Sequence, residues 1–343
     1  MEYRFLGASG LEVSALAFGT MTLGVEGRFA AMGNVQGAEA RRLVDICLDA
    51  GVNLFDTADM YSSGRSEEVL GQALGARRKD IILATKVFMR LAPGPNRMGL
   101  SRRYIVESCE ASLRRLGTDY VDLYQAHSYD ALTPLEETLR AFDDLIRAGK
   151  IRYAGCSNYS GWHLMKALSV SDRLAIPRYI SQQVNYSLLS RGAENELVPA
   201  GLDQRIGIMA WSPLQGGLLS GKFRRDQPRP EESRLNTLDA PGTIDQEQLY
   251  CVVDALAAIA SQRNVSISQV ALNWVMRKPC VDTVIAGARN ERQLADNLAA
   301  ATWSLTEDEV EQLDAVSAGP LPYPYWHQRK YAAERNPLPK PTR

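Results

Sequence analysis

Eight short apolar runs recur along the chain, each followed by a stretch with helical markings. No other feature limits the fold as strongly. The runs are "LAFGT" (16–20), "NLFDT" (53–57), "IILATKV" (81–87), "VDLYQAH" (121–127), "RYAGCS" (152–157), "ISQQVNY" (180–186), "IGIMAWS" (206–212) and "DTVIAGA" (282–288). None alternates cleanly between apolar and polar residues. That is the pattern of parallel strands covered on both faces.

The intervening helices carry their own marks. Ile105, Cys109, Leu113 and Leu116 share one face of a helix over 105–116. Thr133-Pro134-Leu135-Glu136, Ser266-Ile267-Ser268-Gln269 and Asn290-Glu291-Arg292-Gln293 read as capping boxes. Thr306-Glu307-Asp308-Glu309 starts a last helix. Eight βα units in one run predict an α/β fold, a (β/α)8 TIM barrel preceded by a β-hairpin and followed by an extra helix and tail. An open doubly wound sheet is the alternative, but it usually shows a G-x-G-x-x-G turn after its first strand, and none is present.

Length and composition agree with this. The chain has 343 residues, 45% hydrophobic and 23% charged, enough for one large barrel. No linker divides the runs. A single domain over 1–317 is expected, with a basic tail over 318–343 that holds six of the sixteen prolines. Two further irregular stretches, 24–37 and 222–245, are long for loops in a compact domain.

A net charge of -1 gives no electrostatic ground for a nucleic-acid or membrane partner. No apolar run approaches membrane-spanning length, and "MEYRFLGASG" lacks the form of a secretory signal. Five cysteines (47, 109, 156, 251, 280) without a C-x-x-C pair point away from disulfides and zinc and toward a reducing cytoplasm. The three histidines are far apart, so no metal site is expected.

The chemistry lies at the strand ends, where barrels of this kind place their active sites. Asp56 ends the second run, Lys86 the third and His127 the fourth, with Tyr61 just beyond the second. Taken alone, each has an ordinary explanation as a loop cap, a solvated amine or a packed imidazole. Together they form a constellation. A buried lysine needs a counter-ion, and Asp56 is the nearest candidate. An ammonium beside a phenol favours the phenolate and so lowers a pKa of about 10. Such a tyrosine can give a proton to a developing alkoxide, while His127 holds the carbonyl oxygen. No side chain supplies hydride, so a reduction needs a cofactor.

The chain resembles the aldo-keto reductases over about residues 1 to 317, in the branch that includes the potassium-channel β subunits. "GVNLFDTADMYSSGRSEEVLG" is similar to the family's first signature, and "IILATKV" carries its lysine. "GCSNYS", "QVNYSLL", "AWSPLQGGLLSGKF" and "IAGARNERQLADN" follow in the expected order. The resemblance implies Tyr61 as general acid, Lys86 as its activator, Asp56 as the partner of Lys86 and His127 as the group orienting the carbonyl.

It also implies NADPH, bound extended across the strand ends. Ser157, Asn158 and Gln183 would hold the nicotinamide carboxamide, and Trp211 would stack on the ring. Ser212, Pro213, Leu214, Gly216, Leu218 and Lys222 would cradle the pyrophosphate. Gln293 and Asn297 match adenine positions, and Gly19, Thr20, Met21, Asp56 and Gly287 complete the shell. Arg234 resembles the basic residue of a belt over the cofactor. Arg289 lies beside a helix N-terminus, a setting that suits a 2′-phosphate and predicts preference for NADPH. Two departures weaken that preference: Ala288 stands where some members have serine or threonine, and Gln293 where others have arginine.

The expected substrate is a small carbonyl compound. Met21, Phe29, Met60, Phe88, Met89 and Tyr129 near the rim suggest an apolar pocket, and Trp326 is a candidate for closing it or for a contact between copies. Two other readings compete: an NADP(H)-binding regulatory subunit or redox sensor with little turnover, and a sugar isomerase or lyase on the same barrel. No metal cluster or phosphate-substrate signature supports the last.

Overall fold

The computed structural model describes residues 1–24, 32–225, 227–228 and 244–337. Strands β1 (Tyr3–Phe5) and β2 (Glu12–Ser14) form an antiparallel hairpin. Eight further strands follow: β3 (Leu16–Gly19), β4 (Leu54–Asp56), β5 (Ile82–Val87), β6 (Val121–Ala126), β7 (Ile151–Ser157), β8 (Ser181–Asn185), β9 (Gly207–Trp211) and β10 (Thr283–Ala286). They run parallel in chain order and close where β10 pairs with β3. The eight apolar runs are these eight strands, and the barrel expectation holds.

Helices cover the outside: α1 (Gly37–Asp49), α2 (Arg65–Leu74), α3 (Arg102–Leu116), α4 (Leu135–Arg147), α5 (Gly161–Leu174), α6 (Leu197–Gln204), α7 (Gln246–Arg263), α8 (Ile267–Met276) and α9 (Glu291–Ala299). The face expected of α3 is buried, and Gly117 ends that helix in a left-handed conformation. Beyond the barrel, α10 (Glu307–Val316) is tied to α7 by a two-pronged Arg263–Glu309 pair with both bonds at 2.6 Å. A tail helix, α11 (Tyr325–Ala332), lies beside the starts of α5 and α6, where the Tyr325 hydroxyl donates to Glu196.

The caps divide. Thr306 and Glu309 close a full capping box. Ser266 and Asn290 cap α8 and α9, but Gln269 turns to Asp296 and Gln293 accepts instead from the Arg289 N–H. Thr133 is no cap at all. Its hydroxyl donates to Asp130, which leaves Pro134 as the first boundary residue of α4. Turned toward Asp130, the hydroxyl makes no cap bond to the N–H groups of α4.

Side chains inside the barrel are apolar at the N-terminal end of the strands and polar at the C-terminal end. Leu54, Ile82, Leu123, Met209 and Ile285 fill the lower part, and Leu6 and Val13 of the hairpin close it from below. A larger apolar cluster lies between strands and helices. With the floor sealed, the polar end meets solvent only at its mouth.

Candidate active site

Strand register assembles the polar end. Gly19 lies opposite Asp56, Asp56 opposite Ala84, Lys86 opposite Gln125, and Ser157 opposite Gln183. Successive inward positions are two residues apart, so Asp56, Lys86, Gln125, His127 and Gln183 share the interior. Asp56, Lys86, Gln125 and Gln183 are at most 3% exposed, and His127 8%.

The Lys86 ammonium has three protons and three acceptors. Nζ donates to Asp56 Oδ2 at 2.6 Å, to the Thr57 carbonyl at 2.8 Å and to the Tyr61 hydroxyl oxygen at 3.3 Å. Burial opposes its charge, yet Asp56 and Tyr61 outweigh that and lift its pKa above the ordinary value. Lys86 is thus a fixed cation. Tyr61 reaches the rim and sets its ring perpendicular to that of His127, with centroids 6.1 Å apart.

The expected direction of the Tyr61 shift is corrected here. A neighbouring lysine predicts a phenol pKa below 10. Burial of the phenol raises it, more than Lys86 lowers it, and the net direction is upward. Taking a phenolate out of water costs more than one neighbouring ammonium, itself committed to Asp56, gives back.

Tyr61 is held by an unusual backbone. Ser62, Ser63 and Gly64 have φ of 48°, 56° and 95°. Two successive non-glycine residues in the left-handed region store strain. Ser62 is fully buried, and its hydroxyl donates to the Leu23 carbonyl at 3.4 Å.

Two features escaped sequence reasoning. Gln125 donates to Asp56 Oδ1 at 3.2 Å, and Gln183 donates to the same oxygen at 2.9 Å and to Gln125 Oε1 at 3.3 Å. Gln183 was expected at the site but Gln125 was not, since its spacing from His127 marks it as inward-facing only once the strand frame is known. Behind the strands, Glu67 is fully buried and takes bonds from Thr85 at 2.6 Å and from Arg115. Asp59 beside it is also fully buried, and among the described residues neither of its oxygens meets a hydrogen-bond donor in good geometry. Burial, then the Glu67 charge, pushes its pKa well above the ordinary carboxylate value.

A sequence model of the Aldo/keto reductase family matches residues 15–318. The chain belongs to the aldo/keto reductase family. Among its curated relatives, a probable voltage-gated potassium channel subunit beta of Oryza sativa subsp. japonica is 39% identical over 92% of this chain and 96% of its own. The uncharacterized oxidoreductase YrpG of Bacillus subtilis is 36% identical over 93% and 97%. The versiconal hemiacetal acetate reductase of Aspergillus parasiticus is 31% identical over 92% and 96%.

The other expected residues of this aldo/keto reductase take the following places. Ser157 donates to the Gln183 carbonyl at 2.9 Å. Asn158, left-handed at φ 57°, donates from Nδ2 to the His127 carbonyl at 3.0 Å. Trp211 ends β9 opposite Asn185. After it, Ser212, Gly216, Gly217 and Gly221 all have positive φ, and Ser212 Oγ accepts from the Gly216 N–H. Pro213 and Leu218 are buried, Leu214 partly so, and Lys222 is exposed.

Thr20 bonds to the Asp56 carbonyl and to Ser66, beside partly exposed Met21. Asn297 donates to the Gly287 carbonyl. Arg289 donates from Nε to the Met32 carbonyl at 3.1 Å, which sets its guanidinium between the first loop and the start of α9. Arg234 and Phe29 lie outside the described residues.

Of the expected pocket residues, Met60 adjoins Tyr61 and is 9% exposed, while Phe88 and Met89 follow Lys86 on the next loop. Tyr129 stacks on His163 at 3.6 Å among Tyr159 and Trp162. It therefore belongs to an aromatic cluster at the start of α5. Trp326 contacts Tyr323 and His327 within the tail. Among the described residues no helix is long and apolar enough to cross a membrane.

Proposed function

We propose that this family member reduces aldehyde or ketone carbonyls to alcohols with NADPH, through Tyr61, Lys86, Asp56 and His127. The observation that carries this reading is the saturation of Lys86. Its third proton goes to the Tyr61 oxygen, so a buried cation faces the atom that becomes a phenolate when the Tyr61 O–H gives up its proton.

A carbonyl oxygen placed between Tyr61 and His127 would receive that proton as negative charge develops on it. The phenolate left behind faces a cation that already points at it. Asp56 keeps Lys86 charged and oriented. The sealed, apolar barrel floor keeps water from reaching this charge from below.

The rim residues fit NADPH. Trp211 Nε1 and Asn185 Oδ1 are buried and have no hydrogen-bond partner among the described residues. Gln183 commits both amide protons inward and Asn158 one, which leaves both side-chain carbonyl oxygens to accept from a carboxamide. A Cβ at Gly287 would lie 3.0 Å from the Gly19 carbonyl, so two backbones meet there with no side chain between. The left-handed turn after Trp211, with glycine at 216, 217 and 221, lets a phosphate approach the backbone closely. Arg289 at the head of α9 suits the 2′-phosphate. When bound, NADPH supplies the hydride that no side chain can.

Met60, Phe88 and Met89 favour an apolar carbonyl compound. The test is reduced-nicotinamide absorbance with a panel of carbonyls. Tyr61→Phe should abolish turnover and leave NADP⁺ affinity unchanged, and undiminished turnover would refute the assignment. The relatives named as channel β subunits favour a second reading, a cofactor-binding subunit with little turnover. Tight NADPH binding without turnover on any carbonyl would select it.

A further inference from the structure

Gln125 has no role in the chemistry proposed above, yet it is fully buried in the barrel interior. A buried primary amide is costly unless bonded, and this position borders the apolar layer where leucine would fit. Both ends of the amide are used. Nε2 donates to Asp56 Oδ1 at 3.2 Å, and Oε1 accepts from Gln183 Nε2 at 3.3 Å.

The chain makes room for it. Gly155 lies opposite Gln125 in the β6–β7 register. A Cβ at Gly155 would stand 3.3 Å from Gln125 Cγ and 2.7 Å from Ser181 Oγ. Either contact would force a shift of the layer.

Asp56 determines which way the two amides face. An ionised carboxylate only accepts hydrogen bonds, and Oδ2 is taken by Lys86. Oδ1 must therefore face nitrogen on both Gln125 and Gln183. The Asp56 bond alone leaves the Gln183 amide free to pivot about one contact. The second bond, to Gln125 Oε1, holds its other N–H inward and so turns its carbonyl oxygen toward the ligand.

We propose that Gln125 is a positioning residue that fixes the tilt of the Gln183 amide, so that the carbonyl oxygen which Asp56 turns outward is aimed at the nicotinamide ring substituent. The inference rests on the proposed placement of Gln183 at the carboxamide. Its consequence is selectivity at that substituent. A carboxamide offers NH₂ to the locked oxygen, whereas the carboxylate of the nicotinic-acid analogue meets that oxygen with repulsion. Freed from Gln125, the Gln183 amide keeps its nitrogen on Asp56 but swings about that one contact, so its oxygen is aimed less closely and both the attraction and the repulsion weaken.

The experiment measures dissociation constants of NADP⁺ and of its nicotinic-acid analogue by quenching of tryptophan fluorescence. Wild type, Gln125→Met and Gln125→Glu are compared, each first shown folded by its thermal transition. Wild type is expected to prefer the amide. In Gln125→Met the ratio of the two constants should fall about tenfold, the equivalent of ~1.4 kcal/mol. Gln125→Glu supplies a second readout. The introduced carboxyl accepts from Gln183 Nε2 whether protonated or ionised, so the tilt is kept and the ratio should stay near the wild-type value.

A purely structural role for Gln125 would weaken both ligands equally and leave the ratio unchanged in Gln125→Met. An unchanged ratio in Gln125→Met overturns the proposal. So does a ratio that falls in Gln125→Glu, where the bond from Gln183 is kept, should Gln125→Met fail to fold. Failure of the wild type to bind NADP⁺ at all overturns the underlying functional reading instead.

Discussion

Replacing Lys86 by methionine tests the proposed mechanism at its centre. Methionine keeps most of the length and removes the charge. The Nζ to Tyr61 oxygen distance of 3.3 Å corresponds, at an effective dielectric near 20, to ~5 kcal/mol between ammonium and full phenolate. In the transition state the proton is partly transferred, so about half of that applies, and kcat should fall about 10²-fold. NADP⁺ affinity should change little, because Lys86 donates only to Asp56, Thr57 and Tyr61.

The substitution also strips a buried carboxylate of its partner, a loss of about 3–5 kcal/mol in stability. Asp56→Asn in the same chain removes that orphaned charge. The double variant should therefore regain stability in urea titration and remain slow in the absorbance assay. Recovery of kcat along with stability would show that Lys86 acts by holding the fold together, and the electrostatic argument would fail.

Asp282 sits beneath the barrel, where its Oδ2 accepts from the Gly7 N–H at 3.0 Å, and burial raises its pKa from 3.8 to about 6. The raised value makes its stability contribution complete below pH ~4 and lost as pH rises through 6, at most about 3 kcal/mol. Asp282→Asn should lack this loss, so its stability relative to wild type should rise between pH 4.5 and 7.5 in denaturant titrations. Arg289→Ala should narrow the preference for NADPH over NADH about tenfold, read as a ratio of dissociation constants. Gly99 has φ +97°, and a Cβ there would lie 2.5 Å from Asp130 Oδ2. Gly99→Ala should cost about 1–3 kcal/mol. It should also raise KM, because Asp130 ties the loop bearing Phe88 and Met89 to the next one through the Leu100 N–H.

The barrel was legible because the eight strands are buried on both faces over most of their length, and burial writes itself as apolar runs. Strand ends then located Asp56, Lys86 and His127, since position along a parallel strand is also depth in the barrel. What stayed hidden depended on register. Gln125 looks like any polar residue in "VDLYQAH" until β6 is seen opposite Lys86 on one side and Gly155 on the other. Asp59 lies in the same nonapeptide as Asp56 and Tyr61, yet no spacing rule separates an acid paired with lysine from a buried one whose oxygens have no hydrogen-bond partner among the described residues. Thr133 misled because a local cap signal cannot report Asp130 three residues before it. Tyr129 stacks on His163, a partner from another βα unit, so that contact was not local information either.

The direction of the Tyr61 shift bears on which chemistry the proposed site favours. Burial holds the phenol protonated across neutral pH, and Lys86 limits rather than reverses that effect. A phenol so held is a poor base in the resting site and a ready acid toward an alkoxide, which is far more basic than a phenolate. Proton transfer then waits on charge appearing at the carbonyl oxygen and does not precede it. The strained turn at Ser62 and Ser63 fits this order. It fixes the phenol's position through the backbone, so the tetrad need not rely on a charged tyrosine to hold its geometry. Removal of a proton from an alcohol in the reverse direction would first require ionising a buried phenol, a cost that favours carbonyl reduction over alcohol oxidation at neutral pH.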